Sequence, residues 1–527
     1  MNYSVIDIFG RSVTIELEGE RPYYQEKPYE IYVNGALYGT DTRNVITIDG
    51  LEPASSYTIR LADGEGECEK VITTEAETIL MDVHRFGAAG DGVHVDTACI
   101  QTALYACPEG GTVHFTKGTY LTGPLFLKSG ITLWLDEGAE LKGLPDRKDY
   151  PVLPGMIIPP MGEGPEYNLG SWEGNPLDTF ASLITGICVK NVDIVGRGTL
   201  NGGADAGSWW KNPKQKITAW RPRTVFLSHC SNIRLQGVKV CNSPSWTVHP
   251  YYCDGVRALN LNIWNPDNSP NTDGFDPESC TDVLVLGTEI SVGDDCIAIK
   301  SGKYYMSQFH YRRTTGVEVR NCRLMRGHGS VTLGSEVACG VEKVRVSKCL
   351  FVRTDRGIRL KTRRGRGQKS RLKDLLFENI VMEDVHMPLT VNMFYYCDPD
   401  GHSDYVQNQS FRPADEMTPF VGTIHLKNIE CTGVDASFVC ACGLPEMPLE
   451  GIILENIRAS FRPAAERKPH VPVMMDGFPE LSGVSLYLKN IHTVKISDVQ
   501  ITGAGDIEPT IDNVQKLQMD NLYYIKE

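Results

Sequence analysis

The chain has 527 residues and a formal net charge of −14, from 66 acidic and 52 basic side chains with histidine counted as neutral. Such a length exceeds one ordinary globular domain, so we expect two domains or one elongated repeat. The negative charge argues against nucleic acid and against anionic membrane surfaces as partners. No apolar run reaches the length of a membrane span, and the first residues lack the pattern of a signal peptide. A cytoplasmic protein is therefore expected, or a secreted one if a leader has been removed.

The first part of the chain has the alternating pattern of a small β-sandwich. Short strands are expected at Ser12–Leu17, 29–33 and 45–48. The stretch 50–59 resembles the fibronectin type III pattern, in which a leucine, a proline and then a tyrosine, here Leu51, Pro53 and Tyr57, form a corner before a late strand. We predict a fibronectin type III-like domain over residues 1–78 that acts as a spacer or docking module.

A second domain is expected over residues 79–527, and it opens with an amphipathic helix. The helix begins near Asp96, and Pro108 and the glycines that follow end it. Its apolar face consists of Ile100, Ala103, Leu104 and Cys107. A helix of this kind in front of a long β-region is suited to cover the open end of a solenoid.

Segments of the form Asn-apolar-x-apolar, and close variants of it, recur after this helix. Successive copies are separated by roughly 23 to 28 residues. They align Ile233 with Val256, Val256 with Val283, Val317 with Val344, and Ile424 with Ile452. Periods of this length, with β-rich segments and no helices between them, predict a parallel β-helix whose coils stack about 4.8 Å apart. The fold class expected for the whole chain is all-β.

Two acidic clusters fall about one coil apart. Asp273 closes an Asn-Thr-Asp motif, and Asp294 and Asp295 follow Gly293. Stacked coils would place these carboxyl groups side by side, where they cannot all ionise freely and one can stay protonated. Glycosidic cleavage needs such an acid, together with a carboxylate that activates water. Both adjacent aspartates can serve one site only at a strand end or bulge, and Gly293 makes such a bend plausible.

Basic residues follow on later coils. His328 lies between two glycines, and Arg359 and Lys361 lie two residues apart in a predicted strand. Side chains at this spacing share one face of a strand, so the arginine and the lysine form a cationic pair suited to a sugar carboxylate.

These four motifs, in this order, resemble those of the polygalacturonases of glycoside hydrolase family 28, and the resemblance extends from Val83 to the C-terminus. It implies a right-handed parallel β-helix that hydrolyses α-1,4-galacturonosyl linkages of homogalacturonan (pectin) with inversion. The roles it implies are general acid for Asp294, positioning of the hydrolytic water for Asp273 and Asp295, and assistance to the acid for His328. An inverting enzyme is expected to hold its carboxyl groups roughly 6.5 to 9.5 Å apart.

The same resemblance implies that Arg359 and Lys361 bind the galacturonate carboxylate. We add Asn271 and His249 as candidate substrate-binding residues. The stretch 242–250, which contains His249, and the sandwich in front resemble the bacterial exo-acting branch of the family. Removal of units from the end of a galacturonan or an imported oligogalacturonide is therefore expected.

Other interpretations stay open at this point. The substrate could be a rhamnogalacturonan or a substituted galacturonan. The chain could also be a pectate lyase that uses calcium, or a non-catalytic solenoid. Trp209, Trp210 and Trp246 could be core residues or a sugar platform, and Asp276 could bind water or fix a turn.

No metal and no cofactor are predicted. The sixteen cysteines are scattered from Cys68 to Cys442 in a long chain, so we expect most of them to be reduced core residues. The close pair Cys440 and Cys442 lacks a second pair at zinc-site spacing.

Overall fold

The computed structural model describes residues 1–159, Gly164 and residues 166–526, and strands dominate these ranges. All sixteen cysteines are free and most are buried, as predicted. Among the described residues, no helix is long and apolar enough to cross a membrane.

Seven antiparallel strands form a small sandwich at the N-terminus. They are β1 (Tyr3–Ile8), β2 (Ser12–Leu17), β3 (Tyr24–Val33), β4 (Ala36–Arg43), β5 (Val45–Asp49), β6 (Ser56–Ala62) and β7 (Glu67–Thr73). One sheet has the order β1-β2-β5 and the other β4-β3-β6-β7. The hydroxyl of Tyr57 accepts a hydrogen bond from the backbone N–H of Glu52 at 2.8 Å, as a corner tyrosine would. The predicted sandwich is confirmed, whereas its fibronectin type III assignment stays a prediction.

The predicted helix is α1 (Thr97–Ala106), and it begins directly after Asp96. Its residues Ile100, Ala103 and Leu104 are buried in the same apolar cluster as the first coils. The helix therefore covers the end of the solenoid, as expected from its apolar face.

All later strands wind into a right-handed parallel β-helix, apart from two short antiparallel pairs, β15 with β18 and β16 with β17. In chain order the strands are β8 (Leu80–Asp82), β9 (Asp91–Val95), β10 (Gly111–Phe115), β11 (Gly118–Thr122), β12 (Leu125–Phe126), β13 (Ile131–Leu135), β14 (Ala139–Gly143), β15 (Val152–Leu153), β16 (Met156–Ile157), β17 (Tyr167–Asn168), β18 (Thr179–Phe180), β19 (Ile184–Ile187), β20 (Lys190–Gly196), β21 (Thr199–Asn201), β22 (Val225–Ser228), β23 (Ser231–Gln236), β24 (Lys239–Cys241), β25 (Val248–Tyr251), β26 (Asp254–Leu259), β27 (Asn262–Trp264), β28 (Thr281–Leu286), β29 (Glu289–Val292), β30 (Ile297–Ile299), β31 (Thr314–Arg320), β32 (Arg323–Arg326), β33 (Val331–Leu333), β34 (Val341–Ser347), β35 (Leu350–Val352), β36 (Arg356–Lys361), β37 (Arg371–Glu383), β38 (Met387–Asn392), β39 (Phe420–Val421), β40 (Thr423–Val434), β41 (Ser437–Cys442), β42 (Leu449–Phe461), β43 (Val484–Thr502) and β44 (Thr510–Ile525).

Two short helices, α2 (Tyr304–Phe309) and α3 (Asp404–Gln407), lie in loops between coils, where the sequence predicted none.

Strands of successive coils stack into three parallel columns. The first column runs through β20, β23, β26, β28 and β31, the second through β21, β24, β27, β29 and β32, and the third through β30, β33, β36, β38 and β41. The predicted register is confirmed, because Ile233 pairs with Val256, Val256 with Val283, Val317 with Val344, and Ile424 with Ile452. All of these paired residues are apolar, and all are buried inside the coil.

The recurring asparagines explain why the turns before the first column repeat. Asn191 and Asn232, before the first column, and Asn379, between the first and second columns, all have positive φ angles, and asparagine tolerates this left-handed conformation better than most residues. Their side chains also bond from coil to coil, since the amide of Asn232 donates to Oδ1 of Asn191 at 2.8 Å. The motif is therefore a turn signal as well as a strand signal.

The sandwich packs against the turns between the first and second columns. Glu16 accepts hydrogen bonds from Nε and Nη2 of Arg320 at 2.8 and 2.9 Å and from Asn321 at 2.7 Å. The amide of Gln236 donates to Thr14 at 2.8 Å and its oxygen accepts from Ser12 at 2.6 Å. Charged and polar groups thus fix the sandwich to one edge of the β-helix.

Candidate active site

The predicted acidic residues meet at a different edge, between the second and third columns. Asp294 and Asp295 lie between β29 and β30, and His328 lies between β32 and β33. The backbone N–H of His328 donates to the carbonyl of Asp294 at 3.1 Å, and that of Gly274 donates to the carbonyl of Asp295 at 3.0 Å. Coil stacking therefore brings three distant segments of the chain together.

Gly293 allows the bend that the adjacent aspartates need. A Cβ atom at this position would lie 2.4 Å from the carbonyl oxygen of Ser269, so a larger residue would force the turn open. The pair leaves the regular strand here, as expected. The side chain of Asp294 is 22% exposed and that of Asp295 only 1% exposed, so the two carboxyl groups have different surroundings.

The three carboxyl groups are closer together than the sequence analysis expected. One oxygen from each of Asp273, Asp294 and Asp295 lies within 4.8 Å of the others. The expected separation of roughly 6.5 to 9.5 Å is thus wrong for the nearest oxygens, because Asp273 lies one coil spacing from Asp294 and Asp295, which are neighbours in the sequence. The separation therefore gives no support to inversion.

Arg359 and Lys361, both in β36, bind Asp295. Nη1 of Arg359 lies 3.2 Å from Oδ1 of Asp295, and Nζ of Lys361 donates to its Oδ2 at 2.7 Å. Burial alone would raise the pKa of Asp295, but these two cations hold it well below its usual range. Asp295 is thus a permanent anion, and the predicted cationic pair lies directly beside the acidic cluster.

Lys300 is a central residue of the site that the sequence analysis missed. Its Nζ lies 3.3 Å from Asp273, 3.5 Å from Asp276 and 3.4 Å from Glu336, and 4.2 Å from the ring centroid of Trp246. The available signal was a lysine that directly follows the apolar strand β30. A buried ammonium group with three carboxylate neighbours offsets much of the negative charge under the site.

Asp273 and Asp276 both contact this lysine. Burial raises the pKa of Asp273 to about 7, against the opposing effect of Lys300. Burial and the neighbouring Asp273 raise the pKa of Asp276 well above its usual range. Asp276 is completely buried, so it does not contact substrate. Its role is to support Asp273.

His328 is the open member of the cluster. Its side chain is 52% exposed, and its Nδ1 lies 3.2 Å from Oδ1 of Asp294. The hydrogen bond to Asp294 raises the pKa of His328. The imidazole can therefore hold a proton next to Asp294.

His249 does not occupy the position that the sequence analysis predicted. It is 0% exposed, its Nε2 lies 2.9 Å from Glu278, and its Nδ1 accepts from Nε of Arg223 at 3.2 Å. Burial, with Arg223 next to it, lowers its pKa well below the usual range. The structure thus contradicts a substrate contact, because β25 directs this residue into a buried polar layer.

The other candidates are placed as follows. Oδ1 of Asn271 accepts from Nη2 of Arg221 at 2.6 Å, and this half-buried residue stays a predicted substrate contact. Trp209 and Trp246 are buried, which favours a packing role over a sugar platform.

Comparison with models of known protein families shows which family the chain belongs to. A profile described as "Glycosyl hydrolases family 28" matches residues 166–443, more than half of the sequence. The chain belongs to glycoside hydrolase family 28. A second profile, described as "Rhamnogalacturonase A/epimerase, pectate lyase-like", matches residues 80–139, the first coils of this family 28 enzyme.

Curated relatives and a solved structure agree with this assignment. A probable polygalacturonase of Vitis vinifera is 28% identical over 81% of this chain and 84% of its own length. An exo-poly-alpha-D-galacturonosidase of Dickeya chrysanthemi is 25% identical over 72% and 70%, and an endo-polygalacturonase of Pectobacterium carotovorum is 28% identical over 57% and 72%. The family 28 exopolygalacturonase of Yersinia enterocolitica superposes with a TM-score of 0.70 over 98% of both chains at 19% identity, which shows the shared fold.

Proposed function

We propose that this family 28 glycosidase hydrolyses α-1,4-galacturonosyl linkages and removes units from the end of a galacturonan chain. The observation that carries the proposal is the cluster of Asp273, Asp294 and Asp295 within 4.8 Å, directly beside Arg359 and Lys361. This arrangement offers proton transfer and a binding point for a uronate carboxylate at one place. The relatives named above support the substrate class.

The three aspartates divide the chemistry according to their surroundings. Asp294, the most exposed of them, donates a proton to the leaving glycosidic oxygen, with His328 beside it. Asp295, kept anionic by Arg359 and Lys361, and Asp273, whose pKa is about 7, hold the attacking water. Attack by water from the face opposite the leaving group would invert the anomeric carbon.

Charge balance favours hydrolysis over calcium-assisted elimination. A lyase would need the carboxylates free to ligate calcium. Here Asp295 already contacts two cations, and Asp273 contacts Lys300. The family assignment also favours hydrolysis over elimination. A non-catalytic scaffold would not require a buried cluster of carboxylates whose charges are balanced by cations.

Loops that meet near the cationic pair support exo action. Nζ of Lys303 donates to Asp398 at 2.6 Å, and its backbone N–H donates to the carbonyl of Gly174 at 2.8 Å. Nη1 of Arg366, from the basic run after Lys361, also donates to Asp398 at 2.8 Å. Lys303 therefore ties a loop of an earlier coil, at Gly174, to a loop of a later coil, at Asp398. A wall at this end would admit a chain terminus but not a continuous polymer.

Product analysis tests this function. With trigalacturonate and with polygalacturonate, we expect monomer as the first and main product, and ¹H NMR of the fresh product should show the β-anomer, because inversion converts the α-linkage. Mixed oligomers from the polymer would contradict exo action, and the α-anomer would contradict inversion. An unsaturated product lost on chelation would support the lyase, and no turnover at all would reject the substrate class.

Replacement of Arg359 tests the recognition of the uronate carboxylate. We expect Arg359→Gln to lower kcat/KM for the free-acid trimer by about 10- to 100-fold, since a charge-assisted hydrogen bond contributes about 1.5–3 kcal/mol. The methyl-esterified trimer, which has no carboxylate, serves as the matched substrate. Its kcat/KM should fall much less, so the preference for acid over ester should shrink. An equal loss on both substrates would show that Arg359 only supports Asp295 and does not recognise the uronate carboxylate.

A further inference from the structure

The turns that carry the active site continue as a row of titratable residues along the β-helix. Asp294 and His328 are followed on later coils by Asp355, His386 and Asp435. Asp355 lies between β35 and β36, His386 between β37 and β38, and Asp435 between β40 and β41. The backbone N–H of Asp435 donates to the carbonyl of His386 at 3.2 Å, so these two turns are adjacent. His386 lies three coils from Asp294, about 14 Å along the axis.

A third residue joins this row from a long loop. His470 lies between β42 and β43, and its ring stacks on that of His386 with centroids 4.7 Å apart. Nδ1 of His386 lies 2.5 Å from Oδ2 of Asp435. One nitrogen of each imidazole and one carboxylate oxygen all lie within 4.8 Å of one another.

Two buried polar atoms of this cluster lack hydrogen-bond partners among the described residues. Asp435 is 2% exposed, and its Oδ1 accepts no hydrogen bond, although Nε of Arg462 lies 3.3 Å away. Arg462 is itself engaged by Asp384, to which its Nη2 donates at 2.6 Å. Nε2 of His470 is buried and likewise has no partner. Such atoms cost free energy unless a ligand satisfies them.

We propose that His386, Asp435 and His470 form a binding site for one divalent transition-metal ion of the zinc class. Two imidazoles and one carboxylate suit zinc, whereas calcium and magnesium prefer oxygen ligands alone. The sequence pattern could not show this site, because its three ligands come from three separate turns.

The ion would fasten the loop that borders the substrate site. Beyond His470, the loop bonds to β36, because Nε of Arg356 donates to the carbonyl of Pro472 at 2.9 Å. Further along, Sδ of Met474 lies 3.6 Å from Nη2 of Arg359, and the carbonyl of Met474 accepts from Asn392 at 3.0 Å. A metal at His470 therefore fixes a loop that contacts the cationic pair, without contacting substrate itself.

Calorimetric titration of the metal-free full chain with Zn²⁺ tests the site. We expect one tight site in the wild type, with no competition from a large excess of Ca²⁺, and a Tm that rises with Zn²⁺ concentration. His470→Asn should weaken this binding by about tenfold or more and remove the Tm shift. His402→Asn is the matched control, since His402 also pairs with an aspartate, Asp476, but in an exposed position; it should bind Zn²⁺ like the wild type.

His386→Asn provides a second test on a different turn, should the first variant lose its fold. It too should lose the Zn²⁺-dependent rise in Tm. The proposal is overturned if the wild type takes up no Zn²⁺, or if the His470 and His386 variants bind it as tightly as the wild type. None of these outcomes depends on the polysaccharide that the enzyme cleaves.

Discussion

Asn in place of Asp294 should lower kcat on polygalacturonate by about 100- to 10,000-fold, the range expected when a general acid is lost. The carboxamide keeps the size of the side chain but cannot supply the proton. Because Asp294 lies in a bend and is partly exposed, the fold should persist, and the Tm should stay close to that of the wild type. Initial rates from reducing-sugar release, together with thermal melting, measure both effects.

Asp282→Asn is the matched control for this change. Asp282 is an exposed aspartate near the start of β28, and its carboxylate pairs with Arg257 at 2.8 Å. Its replacement should leave kcat unchanged. A rate for Asp294→Asn within a few-fold of the wild type would show that another group donates the proton.

Met in place of Lys300 should have the largest effect on stability. The substitution leaves Asp273, Asp276 and Glu336 in a buried layer without their shared cation. Removal of one partner from a buried ion pair costs about 3–5 kcal/mol, so the free energy of unfolding in urea should fall by that amount. Lys495→Met, at an exposed position of β43, controls for the change of side chain and should unfold like the wild type.

The Lys300→Met defect should depend on pH in a defined direction. Lys300 lowers the pKa of Asp273, so its removal moves that pKa above about 7, whereas the unfolded chain keeps the ordinary value near 3.8. A carboxyl group with a raised folded pKa favours the fold at low pH and loses this contribution as the pH rises through the folded pKa. The part of the stability deficit that comes from Asp273 should therefore stay constant below about pH 7, where the carboxyl group is protonated in both folded proteins, and grow as the pH rises above about 7.

Activity gives an independent measure of the same change. If Asp273 must be ionised to hold the attacking water, the acidic limb of kcat/KM should move to higher pH in Lys300→Met. A stability equal to that of the wild type across this pH range, or an acidic limb that does not move, would show that Lys300 does not control Asp273.

The sequence predicted the parts of this molecule that repeat. The aligned valines and isoleucines predicted the coil register because an apolar residue must enter the interior once per coil, and the pairing of Val256 with Val283 confirms it. The motif residues Asp273, Asp294 and His328 could be grouped for the same reason. Their meeting at one edge follows from the register alone.

The sequence analysis missed or wrongly predicted the features that depend on packing across the coil. Lys300 looked like the end of an apolar strand, and only the structure shows three carboxylates converging on it. His249 was predicted as a substrate contact, although Val248 before it and the buried tyrosines after it already indicated an interior strand. The carboxyl separation was wrong because it was taken from the reaction class instead of the coil spacing.

A crystal structure of Asp294→Asn with trigalacturonate bound would test the central claim most directly, since the loss of the acid should preserve the uncleaved ligand. We predict that the scissile glycosidic oxygen lies within hydrogen-bonding distance of residue 294, with a water between Asp273 and Asp295 and a uronate carboxylate on Arg359 and Lys361. A trisaccharide bound on another face of the β-helix, or one whose carboxylates avoid Arg359 and Lys361, would contradict the account.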